Sequence, residues 1–363
     1  MQEPLRVLHF QGRMGQGGAE TFMMNAYRNI DRSKIQFDFL IYEDYKDVTP
    51  YHQEIKALGG KIYVVPNPNK HIFAYIKTVK KLLKDKKIDI VHSEIFFGGG
   101  INLWIAKKVG IKKRIVHSHA TSDGKGNRFP LPIIRQLFHY LIKNNATDYL
   151  ACSHEAGVGL FGENQPFIFV ANGIDLEKYR SVPKSKGQLR EELMIPSEAF
   201  VVGNIGRFEE QKNHRFLINL FEEIVKLNPT SHLILVGTGS LQDEIKEKVK
   251  NKAFSENVHF LGERKDIPEL LKAMDVFLLP SLYEGLPIVA VEAQAANLKL
   301  VLSTEVSKET QLSENVHFIS LDTPTKEWAE VVLAKPYANT PRPELEVYDM
   351  KKTASQLEKI YLK

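Results

Sequence analysis

The stretch Val276-Phe277-Leu278-Leu279-Pro280-Ser281-Leu282-Tyr283-Glu284-Gly285-Leu286-Pro287-Ile288-Val289-Ala290-Val291-Glu292-Ala293 decides the fold. Its apolar opening, stopped by a proline, reads as a buried parallel strand. Ile288 to Ala296 reads as a helix opened by Pro287, since proline presets the first helical φ and lacks only an N–H that the helix leaves unpaired anyway. The turn sets two carboxylates eight residues apart, Glu284 on the loop at the strand's C-terminal end and Glu292 inside the helix. In an open α/β sheet the crevice outside the strand ends binds ligands, and the helix start offers unpaired N–H groups to an anion. Taken alone, the two acids also fit a turn cap and a solvated helix carboxylate.

Upstream, Gly206-Arg207-Phe208-Glu209-Glu210-Gln211-Lys212-Asn213 follows the apolar strand Phe200 to Ile205. Arg207 and Lys212 share one strand-to-helix loop, where a planar fork and a point charge together can hold a pyrophosphate. A surface arginine and lysine are commonplace, but beside the two-acid loop they suit a nucleotide sugar, with hydroxyls for the acids and a diphosphate for the cations.

Further outward, short apolar strands alternate with amphipathic stretches twice over, the pattern of βα units and parallel sheets. The first half offers Leu5 to Phe10, Phe37 to Tyr42, Ile62 to Val65, Ile88 to His92, Arg114 to Ser118, Tyr149 to Cys152 and Phe167 to Val170. The second offers Phe200 to Gly206, His232 to Val236, Val258 to Leu261, Val276 to Leu279, Lys299 to Leu302 and His317 to Ser320. The expected architecture is α/β, with two Rossmann-like doubly wound domains facing a cleft. Residues 1–180 form the first domain, 181–345 the second, and 346–363 a helix crossing back to the first. The polar stretch Lys178 to Pro196 reads as the interdomain connection, with a short helix at Leu189 to Leu193.

The chain has 363 residues, enough for two cores, and its 43% hydrophobic and 26% charged residues are ordinary for a globular protein. The single Cys152 rules out an internal disulfide, fits a reducing compartment, and reads as a strand-end packing residue. No basic n-region with an apolar h-region follows Met1, and the longest apolar stretch, Ile95 to Ala106, is short of the ~20 residues of a membrane span. The reading is therefore cytoplasmic. Residues 1–180 hold 26 Lys+Arg against 17 Asp+Glu, or +9, which leaves −4 of the net +5 for the rest. The basic half points to an anionic partner, and Lys77 to Lys87, an apolar stripe ringed by lysine, is compatible with a helix lying on anionic lipid. The plainer reading of that segment is a solvated helix face.

Taken together, Gly17-Gly18-Ala19-Glu20, Asn172-Gly173-Ile174-Asp175, Gly206-Arg207 with Gln211-Lys212-Asn213, Val236-Gly237-Thr238-Gly239 and Glu284 to Glu292 resemble the retaining glycosyltransferases of family 4, which have the GT-B fold. Within that family, His117-Ser118-His119 and the general pattern look like bacterial exopolysaccharide or capsule enzymes. The resemblance implies that Glu284 bonds the donor sugar hydroxyls and Glu292 the ribose hydroxyls. It also implies that backbone around Gly285, Leu286 and Ile288 faces sugar and phosphate, and that Arg207 and Lys212 neutralise the diphosphate. His119 matches the family's active-site histidine, with His117 the less favoured neighbour. Gly17 and Gly18, in the glycine-rich turn before the first helix, let backbone approach a ligand closely. Base recognition falls to Gly262-Glu263-Arg264-Lys265, mostly through backbone, with Arg264 at hand.

No Asp-x-Asp occurs, which removes the usual carboxylate pair for a divalent ion on a sugar nucleotide. The expectation is a transferase with no metal and no cofactor besides its nucleotide-sugar co-substrate, read as a UDP-hexose or UDP-N-acetylhexosamine. The acceptor is a glycan, lipid-linked by the resemblance, with contact to an anionic membrane and none to nucleic acid. Loops Glu94 to Gly100 and Thr121 to Phe129 are the candidate acceptor contacts. Two rivals stand beside this reading. A sugar-nucleotide or glycan binding protein would use the same pockets without turnover. A dinucleotide-dependent oxidoreductase is argued from Gly15-Gln16-Gly17-Gly18, but Glu20 stands where the third glycine of that fingerprint belongs.

Overall fold

The structure, a computed structural model, describes residues 3–15, 17–120, 130–336 and 343–363. It divides into two units, Met1–Ile174 with Val347–Lys363, and Asp175–Glu346. The first is built on β1 (Leu5–Gly12), β2 (Ile35–Tyr42), β3 (Ile62–Val65), β4 (Ile90–Ser93), β5 (Lys113–Ser118), β6 (Asp148–Ala151) and β7 (Ile168–Phe169). The second is built on β8 (Phe200–Ile205), β9 (Ser231–Val236), β10 (Val258–Phe260), β11 (Val276–Leu279), β12 (Lys299–Ser303) and β13 (Val316–Ile319). Every expected strand is present within a residue or two of its reading.

Both sheets are wholly parallel, in the orders β3-β2-β1-β4-β5-β6-β7 and β10-β9-β8-β11-β12-β13. Helices cover both faces, so strand residues are apolar without alternation: Val7, Leu8 and Phe10 of β1, like Phe277, Leu278 and Leu279 of β11, are fully buried. Each such side chain contributes about 1.5–3 kcal/mol of burial. The strand order reverses between β1 and β4 and between β8 and β11, and at such switch points the adjacent loops diverge to leave a ligand crevice. The loops after β8 and β11, chosen from the sequence, are the two flanking the switch point of the second unit.

The last helix, Met350–Leu362, returns to the first unit as expected and packs on the helix Gly18–Asn29. Its N-cap Asp349 accepts a hydrogen bond from the Lys351 amide at 3.0 Å, and Tyr361 is bonded to His92 at 2.7 Å. The Asn172-Gly173-Ile174-Asp175 turn makes this crossing possible, since a Cβ on Gly173 would fall 2.8 Å from Met350 Cα.

Three expectations are corrected. The unit boundary lies at 174/175 rather than 180/181, because Leu176–Arg180 packs on helices of the second unit. The stretch Lys178 to Pro196 is not a bare connection. Its helix, Lys186–Glu192, carries Arg190, whose buried guanidinium bonds Asp275 at 2.6 Å and the carbonyls of Ala273, Ser197 and Ala199. Finally, the helix Ile72–Asp85 turns Tyr75, Val79 and Leu83 into the core, so its apolar stripe is spent on packing and, beyond the exposed Phe73 at its start, it is chiefly its lysines that face outward. Of the acceptor loops, Thr121 to Phe129 lies outside the described residues.

Candidate active site

In the second unit the loops after β8 and β11 are stitched together. The Leu282 amide donates to the Gln211 carbonyl at 2.8 Å, and the Gln211 side chain donates to the Tyr283 carbonyl at 2.9 Å. These bonds bring Lys212 Nζ to 2.5 Å from Glu284 Oε1, a pair with 14% and 11% of its side-chain surface exposed. Glu284 is held from behind as well: its amide donates to the Glu305 carbonyl, its carbonyl accepts from Ser307, and Ser281 Oγ reaches its carboxylate at 3.3 Å. The acid is thus fixed while Lys212 reaches it on a flexible stem.

The amides of Gly285, Leu286 and Ile288 make no hydrogen bond among the described residues, and the helix Ile288–Ala295 starts at Pro287, as the sequence implies. Open donors at a helix start, one side chain away from a lysine, form a place for an anion. Glu292, half-buried in that helix, accepts a hydrogen bond from Tyr179 Oη at 2.6 Å. Burial raises its carboxyl above the usual range, and the tyrosine bond opposes this. Its second oxygen has no partner among the described residues. Tyr179 was not foreseen, because it sits in a segment that reads as linker.

Not all the expected residues meet. Arg207 is exposed on the β8 loop, where its charge is felt by Glu209, while the cation paired with Glu284 is Lys212. Arg264 is ion-paired with Asp266 on the loop after β10, two strands away from β8, and Glu263 accepts from Thr238 at 3.1 Å. The glycines of Val236-Gly237-Thr238-Gly239 serve packing: Gly237 has φ +127°, and a Cβ there would stand 2.2 Å from the Gly206 carbonyl oxygen.

In the first unit, Gly17 caps the helix Gly18–Asn29, and Glu20 folds over it, so that a Cβ on Gly17 would meet the Glu20 carboxylate at 2.3 Å. His119, just past β5, donates to Glu94 Oε2 from Nε2 at 2.6 Å and lies 3.3 Å from Asn172 Oδ1 through Nδ1. Glu94 is enclosed, and His9 Nδ1 at 3.1 Å, His92 Nε2 at 3.3 Å and His117 Nδ1 at 3.6 Å also face it. Burial opposes charge on His119, but hydrogen bonding to Cys152 and Glu94 outweighs it and pushes the imidazole up to about 10. Burial likewise opposes charge on Glu94, yet the surrounding imidazoles hold it well below the usual carboxylate range. His9, His92 and His117 are driven down by burial, His92 to about 3. The result is one imidazolium on one carboxylate, ringed by neutral histidines. Two triads, His9 with His92 and Glu94, and Glu94 with His117 and His119, bring ligand-type atoms within 4.8 Å of one another. Sequence reasoning named Glu94 only as a loop boundary, since the residues that converge on it come from β1, β4 and β5.

Beside this cluster, at the C-terminal ends of β1, β2 and β4, lies a cavity of about 590 Å³. Ile95, Phe96 and Phe97 of the expected acceptor loop line it, together with Phe138, Arg13 and Arg135.

Residues 16–178 match the family model described as Glycosyltransferase Family 4, and residues 185–328 match that described as Glycosyl transferases group 1. The chain is 35% identical to EpsF of Bacillus subtilis, a protein named for a glycosyltransferase assignment, over 97% of its own length and 92% of that protein. The chain belongs to the glycosyltransferases. A second relative of this glycosyltransferase, 30% identical over 74% of the chain and 72% of its own length, is the UDP-Gal:alpha-D-GlcNAc-diphosphoundecaprenol alpha-1,3-galactosyltransferase of Escherichia coli. Among solved structures, Anabaena HepE in complex with UDP and glucose superposes with a TM-score of 0.78 at 18% identity, covering 98% of this chain and 99% of that one. The two sheets and their orders are those of the GT-B fold. Among the described residues no helix is long and apolar enough to cross a membrane.

Proposed function

We propose that this glycosyltransferase moves a hexose or N-acetylhexosamine from a UDP sugar to a hydroxyl of a lipid-linked glycan, with retention at the anomeric carbon and without a divalent ion, in exopolysaccharide or capsule synthesis. The observation that carries the reading is the Lys212–Glu284 pair beside the open amides of Gly285, Leu286 and Ile288. Cleaving a glycosyl phosphate bond builds positive charge on the sugar and negative charge on the departing diphosphate. Fixed cations and amide dipoles at the diphosphate lower that barrier. In this reading the diphosphate takes Lys212 from Glu284 and draws in the exposed Arg207, and Glu284, held in place by its own backbone, is left to accept from the sugar hydroxyls. Glu292 offers its second oxygen to the ribose. With Glu284 assigned to the sugar hydroxyls and Glu292 to the ribose, neither carboxylate of this constellation is assigned as a nucleophile, which favours a front-face route in which the leaving phosphate helps take the acceptor proton.

The UDP moiety is supported by the printed names of the E. coli relative and of the HepE complex, and the lipid-linked acceptor by the former. His119, protonated and oriented by Glu94, is assigned to the donor sugar, and the cavity of the first unit to the acceptor. The test is incubation with labelled UDP, GDP and ADP sugars and a lipid-linked glycan. Acceptor-dependent release of UDP, insensitive to chelator, with an α product by NMR from an α donor is expected. Tight binding without release would instead mark a sugar-nucleotide binding protein.

A further inference from the structure

We propose that the first unit docks on an anionic lipid bilayer through the outer face of the helix Leu131–Asn145, which sets the mouth of the 590 Å³ cavity against the lipid. This deepens, and rests on, the lipid-linked acceptor of the proposed function.

An amphipathic helix on a globular protein turns its apolar stripe inward. This one does the reverse along one face. Ile133, Leu137 and Tyr140, spaced four and three apart, stand side by side with 59%, 56% and 62% of their surface exposed. The opposite side is used: Phe138 lines the cavity, Ile142 is buried, and Gly100 lets the backbone at Phe138 approach to where a Cβ would lie 2.8 Å from its carbonyl oxygen. The outward stripe is therefore surplus to the packing of the unit.

The charge pattern selects the occupant. No Asp or Glu occurs from Leu131 to Asn145, while Arg135 and Lys143 do. A second element shares the same rim: Ile72 and Ile134 both line the cavity, and next to Ile72 stands Phe73, 85% exposed. Behind Phe73 follow Lys77, Lys80, Lys81 and Lys84 on a helix with no acid before its last residue, Asp85. Apolar side chains at the tip and cations behind, with no carboxylate on either helix before Asp85, is the composition of a surface that enters the headgroup layer of an anionic membrane. The cavity behind that rim is mostly aromatic and aliphatic with Arg13 and Arg135 in its wall, so a phosphorylated lipid can enter sideways from the bilayer with its phosphate facing cations.

The experiment uses the full chain, sedimented with vesicles of phosphatidylcholine alone or with phosphatidylglycerol at about a third of the lipid, at low and high salt. Wild type is expected to pellet with the phosphatidylglycerol vesicles at low salt and to be released by salt. The double variant Ile133→Ser/Leu137→Ser should lose about tenfold in partition per residue, about a hundredfold together. Both positions are exposed, so an unchanged thermal melt is expected and checks folding. Equal pelleting of wild type and double variant overturns the proposal, as does a wild type that stays in the supernatant. A wild-type dimer in solution that the double variant abolishes overturns it too, because a second copy then covers the stripe. UDP release in buffer with a detergent-dispersed lipid-linked acceptor is measured on the same preparations and should be unchanged by the double variant. Its failure in wild type counts against the proposed reaction, and failure of pelleting alone counts against docking.

Discussion

Replacing Glu94 by glutamine removes the one carboxylate on which the histidines of the first unit converge, and its cost follows from the His119 contact. The imidazole is pushed up to about 10 from an ordinary 6.5. At pH 7 it is therefore fully charged in the fold and mostly neutral in the unfolded chain. The difference amounts to about 4 kcal/mol of stability, shared between the bonds to Cys152 and Glu94, and removing the Glu94 partner of this buried pair should cost a few kcal/mol of it. Because the folded value lies above the unfolded one, this contribution is complete below pH 6.5 and is lost as pH rises through about 10. Wild type should thus lose about 1.4 kcal/mol per pH unit between pH 7 and 10 from this site alone, a pH window that Glu94→Gln should narrow, since only the Cys152 bond is then left to hold the charge. Urea unfolding of both proteins at several pH values measures the difference. Carbon-13 NMR of the histidine Cε1 resonances shows directly whether His119 remains an imidazolium at pH 8 in wild type and titrates at lower pH in the variant. A variant within 1 kcal/mol of wild type at pH 7, or a His119 that titrates near 6.5 in wild type, would refute the ion pair.

Three other outcomes are expected. Lys212→Met and Glu284→Gln should each lower kcat by about 10²–10³ with little change in the melting temperature, since the pair is on loops beyond the C-terminal ends of β8 and β11 rather than in the core; near wild-type turnover in either would remove both from the donor site. His9, His92 and His117 are held neutral, so each takes up a proton on unfolding below pH 6.5; stability should fall by about 4 kcal/mol per pH unit in mild acid, visible as a steep drop in denaturation midpoint from pH 6 to 5. Gly237→Ala should cost about 3 kcal/mol or more, because the position combines a φ of +127° with a Cβ 2.2 Å from the Gly206 carbonyl oxygen; a melting temperature unchanged by the substitution would show that the β8 and β9 loops can part.

By itself the sequence determined the elements and their kind. The strands were legible because parallel strands covered on both faces must be continuous apolar runs, and the helix at Ile288 because Pro287 marks its first turn. The individual groups were legible too: Arg207, Lys212, Glu284 and Glu292 all lie on the loop or helix that follows a strand. Pairing was not legible. Lys212 and Glu284 meet because β8 and β11 are neighbours, and that adjacency depends on the sheet order, which local pattern does not encode. The same holds for Glu94, which acquires four histidines from β1, β4 and β5 only when those strands lie side by side, and for Tyr179, whose polar surroundings resemble a linker until Leu176–Arg180 packs on the second unit. The surplus apolar face of Leu131–Asn145 is the opposite case: its residues are ordinary core residues by composition, and only the three-dimensional packing shows that nothing in the described unit covers them. Local sequence fixes which backbone conformation each segment prefers, while charge pairing and exposure are set by contacts between segments far apart in the chain, whose partners are chosen by burial of the whole core.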